Sequence, residues 1–314
     1  MKIDKRNISR RKFVKTASQA ALAGGMLAGT PVSILAGGTR SASLKHSGEL
    51  ATSTLGKTGI KMTKLGVGAP RRPEASVLRY ALDQGISFID TGRFYGKGKN
   101  EVMVGEVIKG KRKDFTIQSK VKINQLVDEN LNNESISKKI HEVFNKSLEE
   151  SLKALQTDYI DILLFHDGSK TELVNHEAVR EAFTKAKKEG KILAPGFSAH
   201  TNQVELSKKH NADPFYDVMM LAFNPHGGYN KPNVRDYSWD QETLISELKK
   251  ASAAGTGIVA MKTCFGGPYC CDGDTEKTFA GAVKWTLAQP YVHTSAVAMA
   301  NFRQLEEHLF VNKS

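Results

Sequence analysis

The sequence predicts an α/β protein, a closed (β/α)8 barrel of the TIM type preceded by a short β-hairpin. After residue 50, eight short β-branched runs alternate with longer runs whose apolar residues recur at helical spacing. This alternation indicates parallel strands joined by helical crossovers. Eight units in roughly 260 residues fit a closed barrel better than an open sheet. An open sheet usually carries a glycine-rich phosphate loop after its first strand, whereas GVGAPRRPEAS at that place lacks GxGxxG.

Each predicted strand is a short apolar segment bounded by polar or turn-forming residues. Residues 50–63 come first and predict the hairpin, with GKTG as its turn. The barrel strands are expected at 64–69, 87–90, 115–121, 159–166, 192–199, 217–223, 257–263 and 294–299. In such barrels catalytic residues collect at the C-terminal ends of the strands. The residues that end these segments are therefore candidates for function.

Helices are expected between these strands. The clearest is 135–156, where Ile140, Phe144, Leu148 and Leu152 belong to one apolar stripe. Segments 176–191 and 240–255 show similar spacing, and each has a glycine near its end. A final helix is expected at 302–310. With eight strands and eight helices in strict alternation, residues 46–314 form one barrel domain.

Residues 1–45 have the composition of a targeting segment. SRRKFVK, residues 9–15, resembles the twin-arginine export motif, and an apolar run rich in Ala and Gly follows it. Its glycines and Pro31 make that run a poor membrane-spanning helix, whereas a basic start and a soft apolar middle are typical of signal peptides. We therefore expect a signal peptide and linker over 1–45, export through the twin-arginine translocase, and a periplasmic or exported mature protein. A disordered basic tail is the alternative interpretation.

The net charge of +12 belongs mostly to this terminal segment. Nine basic residues and one acidic residue in 1–45 supply +8, which leaves +4 for the rest of the chain. So modest a charge predicts no nucleic-acid partner. Cys264, Cys270 and Cys271 form no CxxC pattern and have no His at ligand spacing nearby. They predict no metal site, and we interpret them as ordinary thiols. A disulfide between two of them is the alternative in an oxidising compartment.

Three charged or polar residues fall at consecutive predicted strand ends. Asp90 ends the second strand, Lys120 lies near the end of the third, and His166 ends the fourth. Tyr95 follows Asp90 by five residues, in the loop. Because adjacent parallel strands lie about 4.8 Å apart, these side chains are expected to meet. Any one of them alone would more simply be a structural or solvated residue, but the combination predicts a catalytic site.

The chemistry suggested by this group is proton transfer through the phenol. Tyr is a poor acid at neutral pH, but a nearby ammonium favours the phenolate and is expected to lower the pKa of Tyr95. Asp90 would hold Lys120 charged and in place. His166 could donate a hydrogen bond to a substrate carbonyl oxygen. The set suits hydride delivery to a carbonyl carbon while Tyr95 protonates the oxygen.

The same residues stand in motifs that resemble the aldo-keto reductase family over about residues 50–312. TLGKTGIKMTKLGVGA resembles its opening hairpin and first strand, FIDTGRFYGKGKNEVMVGEVIKG its second-strand motif, and IQSKV its lysine strand. SLEESLKALQTDYIDILLFHD resembles its long helix and histidine strand. The resemblance implies a nicotinamide-dependent oxidoreductase. In it Tyr95, Asp90, Lys120 and His166 would be the catalytic tetrad.

The resemblance also implies a set of cofactor-binding positions along the later strand ends. These are Ser198, Met220, Met261, Lys262, Gly266, Gly267, Gln304 and Glu307. Several depart from the family pattern. Ala199 replaces the usual Asn beside Ser198, Met220 replaces a Gln that contacts the carboxamide, and Met261 replaces a ring that stacks on the nicotinamide.

The adenosine end departs from the pattern as well. Ala298 and Gln304 stand where many members carry cationic residues for the ribose 2′-phosphate, although Arg303 is adjacent. We therefore expect NADP as the cofactor, with NAD also possible. Plain alternatives stay open here, because a glycine pair is mostly turn chemistry and Glu307 could be a solvated helix residue.

The expected function is reduction of an aldehyde, ketone or keto-sugar, or oxidation of the corresponding alcohol. The loop at 224–233, NPHGGYNKPN, could bind a polar, sugar-like substrate, although a plain surface loop is simpler. No stable membrane span is expected in the mature chain. The alternative function is a cofactor-binding barrel that senses or binds a ligand with little turnover, which the altered carboxamide contacts favour.

Overall fold

The computed structural model describes residues 49–68, 74–123, 133–168, 171–231 and 234–310, in which twelve strands build one closed barrel and two hairpins. The predicted targeting segment, 1–45, lies outside the described residues. In chain order the strands are β1 (Thr52–Thr54), β2 (Lys61–Thr63), β3 (Leu65–Gly68), β4 (Phe88–Asp90), β5 (Thr116–Val121), β6 (Ile160–Phe165), β7 (Ile192–Ala199), β8 (Val218–Ala222), β9 (Gly228–Lys231), β10 (Val234–Ser238), β11 (Gly257–Met261) and β12 (Thr294–Ala298).

The barrel confirms the predicted (β/α)8 fold. Its eight parallel strands follow the order β3-β4-β5-β6-β7-β8-β11-β12, and β12 pairs with β3 to close the sheet. The bounds of all eight lie within two residues of those expected from the sequence. Ala69, the expected last residue of the first barrel strand, lies outside the described residues.

The predicted N-terminal hairpin is also present. β1 and β2 pair antiparallel, with Thr54 opposite Lys61. Leu55 and Met62 are fully buried and pack with residues of the barrel interior. A Cβ at Gly257, on the first residue of β11, would lie only 2.4 Å from Leu55 Cγ. The hairpin therefore closes the end of the barrel at which the strands begin, opposite the expected catalytic mouth.

The helices between the strands include one more than strict alternation requires. They are α1 (Ala75–Asp83), α2 (Lys99–Ile108), α3 (Asn133–Leu155), α4 (Thr171–Val174), α5 (Glu177–Lys188), α6 (Gln203–Ala212), α7 (Gln241–Ala253), α8 (Phe279–Leu287) and α9 (Phe302–Phe310). The expected apolar stripe of α3 is buried, and Phe144 meets Phe183 of α5 at 4.8 Å between ring centroids. None of the described helices is long and apolar enough to cross a membrane.

The expectation of strict alternation is wrong after β8. Part of the segment interpreted as a loop, 224–233, contributes instead to the antiparallel hairpin β9–β10. Aromatic packing explains this hairpin, because Tyr229 stacks on Tyr237 at 4.9 Å and meets the ring of Phe265 edge-on at 5.9 Å. Aromatic pairs across two strands stabilise such a ribbon. The hairpin therefore packs against the loop that follows β11.

The barrel interior is filled by side chains that alternate with those facing the helices. Phe88, Ile162, Leu164 and Val259 belong to this inner cluster. Gly66 makes room for the largest of them, since a Cβ there would lie 2.1 Å from the Phe88 ring. Bulky and small residues thus interdigitate, as close packing requires. Asp90, at the end of β4, lines a cleft above this packed interior.

Candidate active site

Alternation along β4 and β5 places three polar side chains inside the barrel. Asp90 ends β4, and its register partner on β5 is Gln118. Lys120 lies two residues beyond Gln118 and so points to the same face. Ile117 and Val121, at the alternate positions, pack outward among the helices. The structure thus brings Asp90 and Lys120 together as the sequence predicts.

Asp90 and Lys120 form a buried ion pair, and Lys120 Nζ donates to Asp90 Oδ1. Lys120 Nζ also donates to the carbonyl oxygen of Thr91 at 2.7 Å. Burial opposes the positive charge, but Asp90 and Tyr95 outweigh that effect and leave the pKa of Lys120 raised. The ammonium is therefore charged at neutral pH although the side chain is 1% exposed.

Tyr95 lies in a loop that is bonded to the strand carrying Lys120. Beyond the end of β4, the backbone NH of Thr91 donates to the carbonyl of Gln118, and that of Arg93 donates to the carbonyl of Lys120. The chain then turns, and the NH of Tyr95 donates to the carbonyl of Gly92 at 3.0 Å. The Lys120 ammonium lies 4.9 Å from the centroid of the Tyr95 ring.

The acidity of Tyr95 differs from the expectation. Burial is the largest influence and raises the pKa of Tyr95; Lys120 lowers it, as expected, but Asp90 raises it further, and the net shift is upward. Desolvation therefore outweighs the ammonium. Tyr95 is consequently a neutral phenol at physiological pH, the form that can donate a proton.

His166 completes the group, directly after β6. Its ring meets the Tyr95 ring edge-on, with 5.5 Å between centroids and 88° between planes. Burial, reinforced by Lys120 and Lys122, holds the pKa of His166 well below its ordinary value. The imidazole is therefore neutral at pH 7, and one ring nitrogen is a donor. Its buried Nδ1 has no hydrogen-bond partner within the described part of the chain.

These side chains open into a cleft of about 220 Å³ at the C-terminal ends of the strands. Asp90, Tyr95 and His166 line one wall. The cleft is also lined by three of the expected cofactor residues, Met220, Met261 and Lys262. Their positions suit the reactive end of a cofactor beside the phenol.

A second cavity of about 450 Å³ adjoins the cleft, and Cys264 and Ala298 line both. It runs along α9, where Arg303, Gln304 and Glu307 form part of its wall. Because they share Cys264 and Ala298, the two cavities extend side by side from Tyr95 to α9 and are together called the groove.

The expected pyrophosphate loop begins at Lys262, which lines the cleft. Lys262 has a left-handed backbone (φ +60°), and its ammonium lies 4.2 Å from the centroid of the Phe265 ring. A Cβ at Gly266 would lie 2.8 Å from Asn224 Oδ1, so no larger residue fits there without movement. Gly267 also takes a positive φ, +108°. Backbone NH groups and a cation are what a phosphate group requires, and the role of this loop in binding a pyrophosphate stays a prediction.

Two expected cofactor residues make hydrogen bonds with the protein backbone. Ser198 Oγ donates to the carbonyl of Phe165 at 3.3 Å and accepts from the NH of Asp167 at 3.2 Å. Gln304 Oε1 accepts from the NH of Ala300 at 2.8 Å, at the start of α9. Both side chains thus hold backbone in place, and their expected contacts with the cofactor stay predictions. Glu307 is half-buried in the cavity wall.

Sequence reasoning missed Gln118. Its Nε2 donates to Asp90 Oδ1 at 2.6 Å and approaches Met220 Sδ at 3.2 Å, so it links the catalytic carboxylate to the cleft wall. The period of two along a strand could have identified it, because Gln118 precedes Lys120 by two residues and shares its face of β5. The three cysteines are free thiols. Burial raises the pKa of Cys264 to about 11, which makes it a poor nucleophile at neutral pH.

Comparison with known proteins matches this chain to one class of oxidoreductase. Residues 59–267 match the aldo/keto reductase family. The L-galactose dehydrogenase of Arabidopsis thaliana is 33% identical over 296 residues, covering 81% of this chain and 86% of that protein. The chain therefore belongs to the aldo/keto reductase family.

Other similarities are shorter or structural. The uncharacterized oxidoreductase YqkF of Bacillus subtilis is 30% identical, and the match covers 52% of this chain and 52% of that protein. The chain thus spans about half the length of this curated relative. A Klebsiella pneumoniae aldo-keto reductase solved in complex with NADPH superposes with a TM-score of 0.61 at 19% identity, covering 83% of this chain and 89% of that one. That likeness supports the fold.

Proposed function

We propose that this protein is an NADP-dependent oxidoreductase that reduces a carbonyl group, or oxidises the corresponding alcohol, with Tyr95 as general acid and base. The observation that carries the proposal is the buried Asp90–Lys120 ion pair beside a protonated Tyr95 and a neutral His166. Asp90, Tyr95 and His166 line a cleft that shares Cys264 and Ala298 with the cavity along α9, and the proposal places an extended dinucleotide over both. The bound nicotinamide would supply the hydride.

The protein's own groups would act on the substrate oxygen. Neutral His166 donates a hydrogen bond to the carbonyl oxygen and orients it without adding a charge that would compete with Lys120. Tyr95 transfers its phenolic proton to that oxygen as negative charge develops there. Lys120 stabilises the resulting phenolate, and Asp90 keeps the ammonium in place. In alcohol oxidation the same phenolate accepts the proton.

The preference for NADP rests on two supports. Arg303 lines the cavity next to Glu307 and can face a ribose phosphate, and a structural neighbour is solved with NADPH. Lys262 and the backbone at Gly266 and Gly267 would hold the pyrophosphate. NAD remains the second choice, because Ala298 offers no charge and Gln304 is occupied at the start of α9.

The test is to purify the protein, identify any nicotinamide released on denaturation by mass spectrometry, and measure NADPH oxidation with a panel of aldehydes, ketones, aldoses and keto-sugars. We expect turnover on at least one class of carbonyl and tighter binding of NADPH than of NADH. Absence of turnover on the whole panel, together with tight binding of the cofactor, would favour the second candidate.

That second candidate is a cofactor-binding barrel that senses or binds a ligand. The observation that favours it is the altered carboxamide site, where the Ser198 hydroxyl is engaged by backbone and Met220 contacts Gln118. A nicotinamide ring that is poorly oriented would transfer hydride slowly even when the cofactor as a whole is tightly bound. Single-turnover measurements separate the two, since a sensor would show cofactor binding without a matching rate of hydride transfer.

We further propose export of the mature protein by the twin-arginine route, which carries folded proteins and so allows the cofactor to be loaded beforehand. The support is the SRRKFVK motif at residues 9–15. Scarce free nicotinamide outside the cytoplasm would suit a tightly held cofactor and an internal redox cycle on one substrate.

Changing Arg10 and Arg11 together to Lys is expected to retain the protein in the cytoplasm, because the translocase reads the arginine pair and not merely the charge. Cell fractionation with immunodetection measures the distribution. Lys2→Arg, which keeps the motif intact, is the control and should leave export unchanged. Equal export of the double variant and the wild type would refute this part of the proposal.

A further inference from the structure

A second buried ion pair lies beside the catalytic group and takes no part in the proposed chemistry. Glu101, on the third residue of α2, is fully buried. Its Oε2 lies 2.9 Å from Nη1 of Arg93, whose side chain is 19% exposed. Arg93 stands two residues before Tyr95 in the same loop. A buried carboxylate is costly unless it is paired, so the position of Arg93 is strongly constrained by Glu101.

Glu101 also contacts the strand that carries Lys120. Ser119 Oγ donates to Glu101 Oε1 at 2.6 Å, and Ser119 directly precedes Lys120 on β5. The two oxygens of one carboxylate thus contact the two segments whose relative position sets the distance from Tyr95 to Lys120. The Arg93 guanidinium is held a second time, by donation to the carbonyl of Glu150 on α3 at 3.0 Å.

The loop conformation depends on the same guanidinium. Gly96, Lys97 and Gly98 follow Tyr95 with left-handed backbones, at φ +59°, +55° and +88°. Such a run is unfavourable for the non-glycine residue and persists only when surrounding contacts require it. A Cβ at Gly98 would lie 1.1 Å from Nη2 of Arg93, so the guanidinium occupies that space. The ion pair and the turn that follows Tyr95 therefore form one unit.

We infer that the Arg93–Glu101 ion pair fixes Tyr95 relative to Lys120, which makes Glu101 and Arg93 positioning residues for proton transfer. The inference rests on the proposed function, because it concerns the geometry of that step. An apolar pair of similar volume could supply equal stability, but it would lack both the charge contact of Glu101 with Arg93 in the Tyr95 loop and the hydrogen bond from Ser119 on β5. Neither Arg93 nor Glu101 lines the cleft or the cavity along α9.

The main variant is Glu101→Gln, which keeps the size of the side chain and removes its charge. We expect kcat for carbonyl reduction to fall by about 10- to 100-fold. A loss of this size is typical when a reacting group, here the Tyr95 hydroxyl, is displaced by up to about 1 Å. The Kd for NADPH, measured by nicotinamide fluorescence, should stay unchanged. Arg93→Lys should retain more activity than Arg93→Met, since it keeps the charge that pairs with Glu101.

The decisive readout is a double-mutant cycle with Tyr95→Phe, followed by single-turnover hydride transfer. If Glu101 acts through Tyr95, Glu101→Gln will cause little further loss once the hydroxyl is gone. A loss of the same size in both backgrounds would overturn the inference. So would an unchanged kcat in Glu101→Gln, provided that the wild type is active; an inactive wild type would instead contradict the proposed function.

Asp161→Asn is the matched control for damage to the fold. Asp161 pairs with Arg112 at 2.6 Å, near the start of β6 and thus at the opposite end of the barrel from His166. Urea unfolding should show a loss of stability in both carboxylate variants, whereas kcat should fall only in Glu101→Gln. If Glu101→Gln fails to fold, the comparison of Arg93→Lys with Arg93→Met in the same cycle decides the matter. Equal loss of kcat in the Asp161 variant would also overturn the inference.

Discussion

Tyr95→Phe is expected to lower kcat for carbonyl reduction by about 10²- to 10⁴-fold, the usual contribution of a positioned acid. The substitution removes only the hydroxyl, and the ring keeps its edge-on contact with His166. The groove toward α9 is not altered, so the Kd for NADPH should be unchanged. Steady-state rates and cofactor titration by fluorescence measure the two quantities separately.

The pH dependence adds a check with a definite sign. Burial raises the pKa of Tyr95, so the phenol stays protonated through neutral pH and reduction should decline only under alkaline conditions. Alcohol oxidation needs the phenolate and should rise over the same alkaline range. Both trends should vanish in Tyr95→Phe.

Tyr80→Phe is the control for the loss of a tyrosine hydroxyl. Tyr80 lies on α1, and its hydroxyl bonds to Glu306 at the surface, so its removal should leave kcat unchanged. Reduction by Tyr95→Phe at the wild-type rate would contradict the assignment of Tyr95 as the general acid.

Lys120→Met should have the largest effect on stability. It leaves Asp90 buried without its partner, and breaking a buried pair on one side costs about 3–5 kcal/mol. Activity should be lost as well, because nothing would then stabilise the phenolate of Tyr95. Urea denaturation gives the free energy of unfolding, and NADPH oxidation gives the activity.

Asp90→Asn combined with Lys120→Met separates the two effects. Removing both charges should recover much of the stability, since the uncompensated carboxylate is gone, while activity should stay lost. Lys191→Met is the surface comparison: Lys191 pairs with Glu149 and Glu189 in solvent, and its loss should cost about 1 kcal/mol or less. If the double variant is no more stable than Lys120→Met, the buried charge of Asp90 is not the source of the loss.

Asp90, Lys120 and His166 meet as expected because strand periodicity and barrel register determine which side chains share the mouth. Gln118 follows the same rule and was overlooked only because an amide inside a strand carries no obvious chemistry. The hairpin β9–β10 escaped prediction because its stability comes from Tyr229 and its neighbours packing against a loop distant in sequence.

The direction of the Tyr95 pKa shift could not be predicted from the sequence. Spacing in the sequence indicates that an ammonium lies nearby, and its influence has the expected sign. Spacing does not report how much water the folded mouth excludes, and that desolvation is the larger influence on the phenol. The hydrogen bonds of Ser198 and Gln304 could not be predicted either, because their backbone partners are set by the packing of the strands and by the position of α9.

The sequence by itself determined the barrel, its opening hairpin and the residues that stand at the strand ends, because each of these follows from local periodicity and from the parallel register. Only the tertiary structure decided the protonation of Tyr95 and His166, the placement of two neighbouring cavities between Tyr95 and α9, and the contact of Glu101 with both the Tyr95 loop and β5. These properties depend on burial and on contacts between separate elements, and no local pattern encodes them.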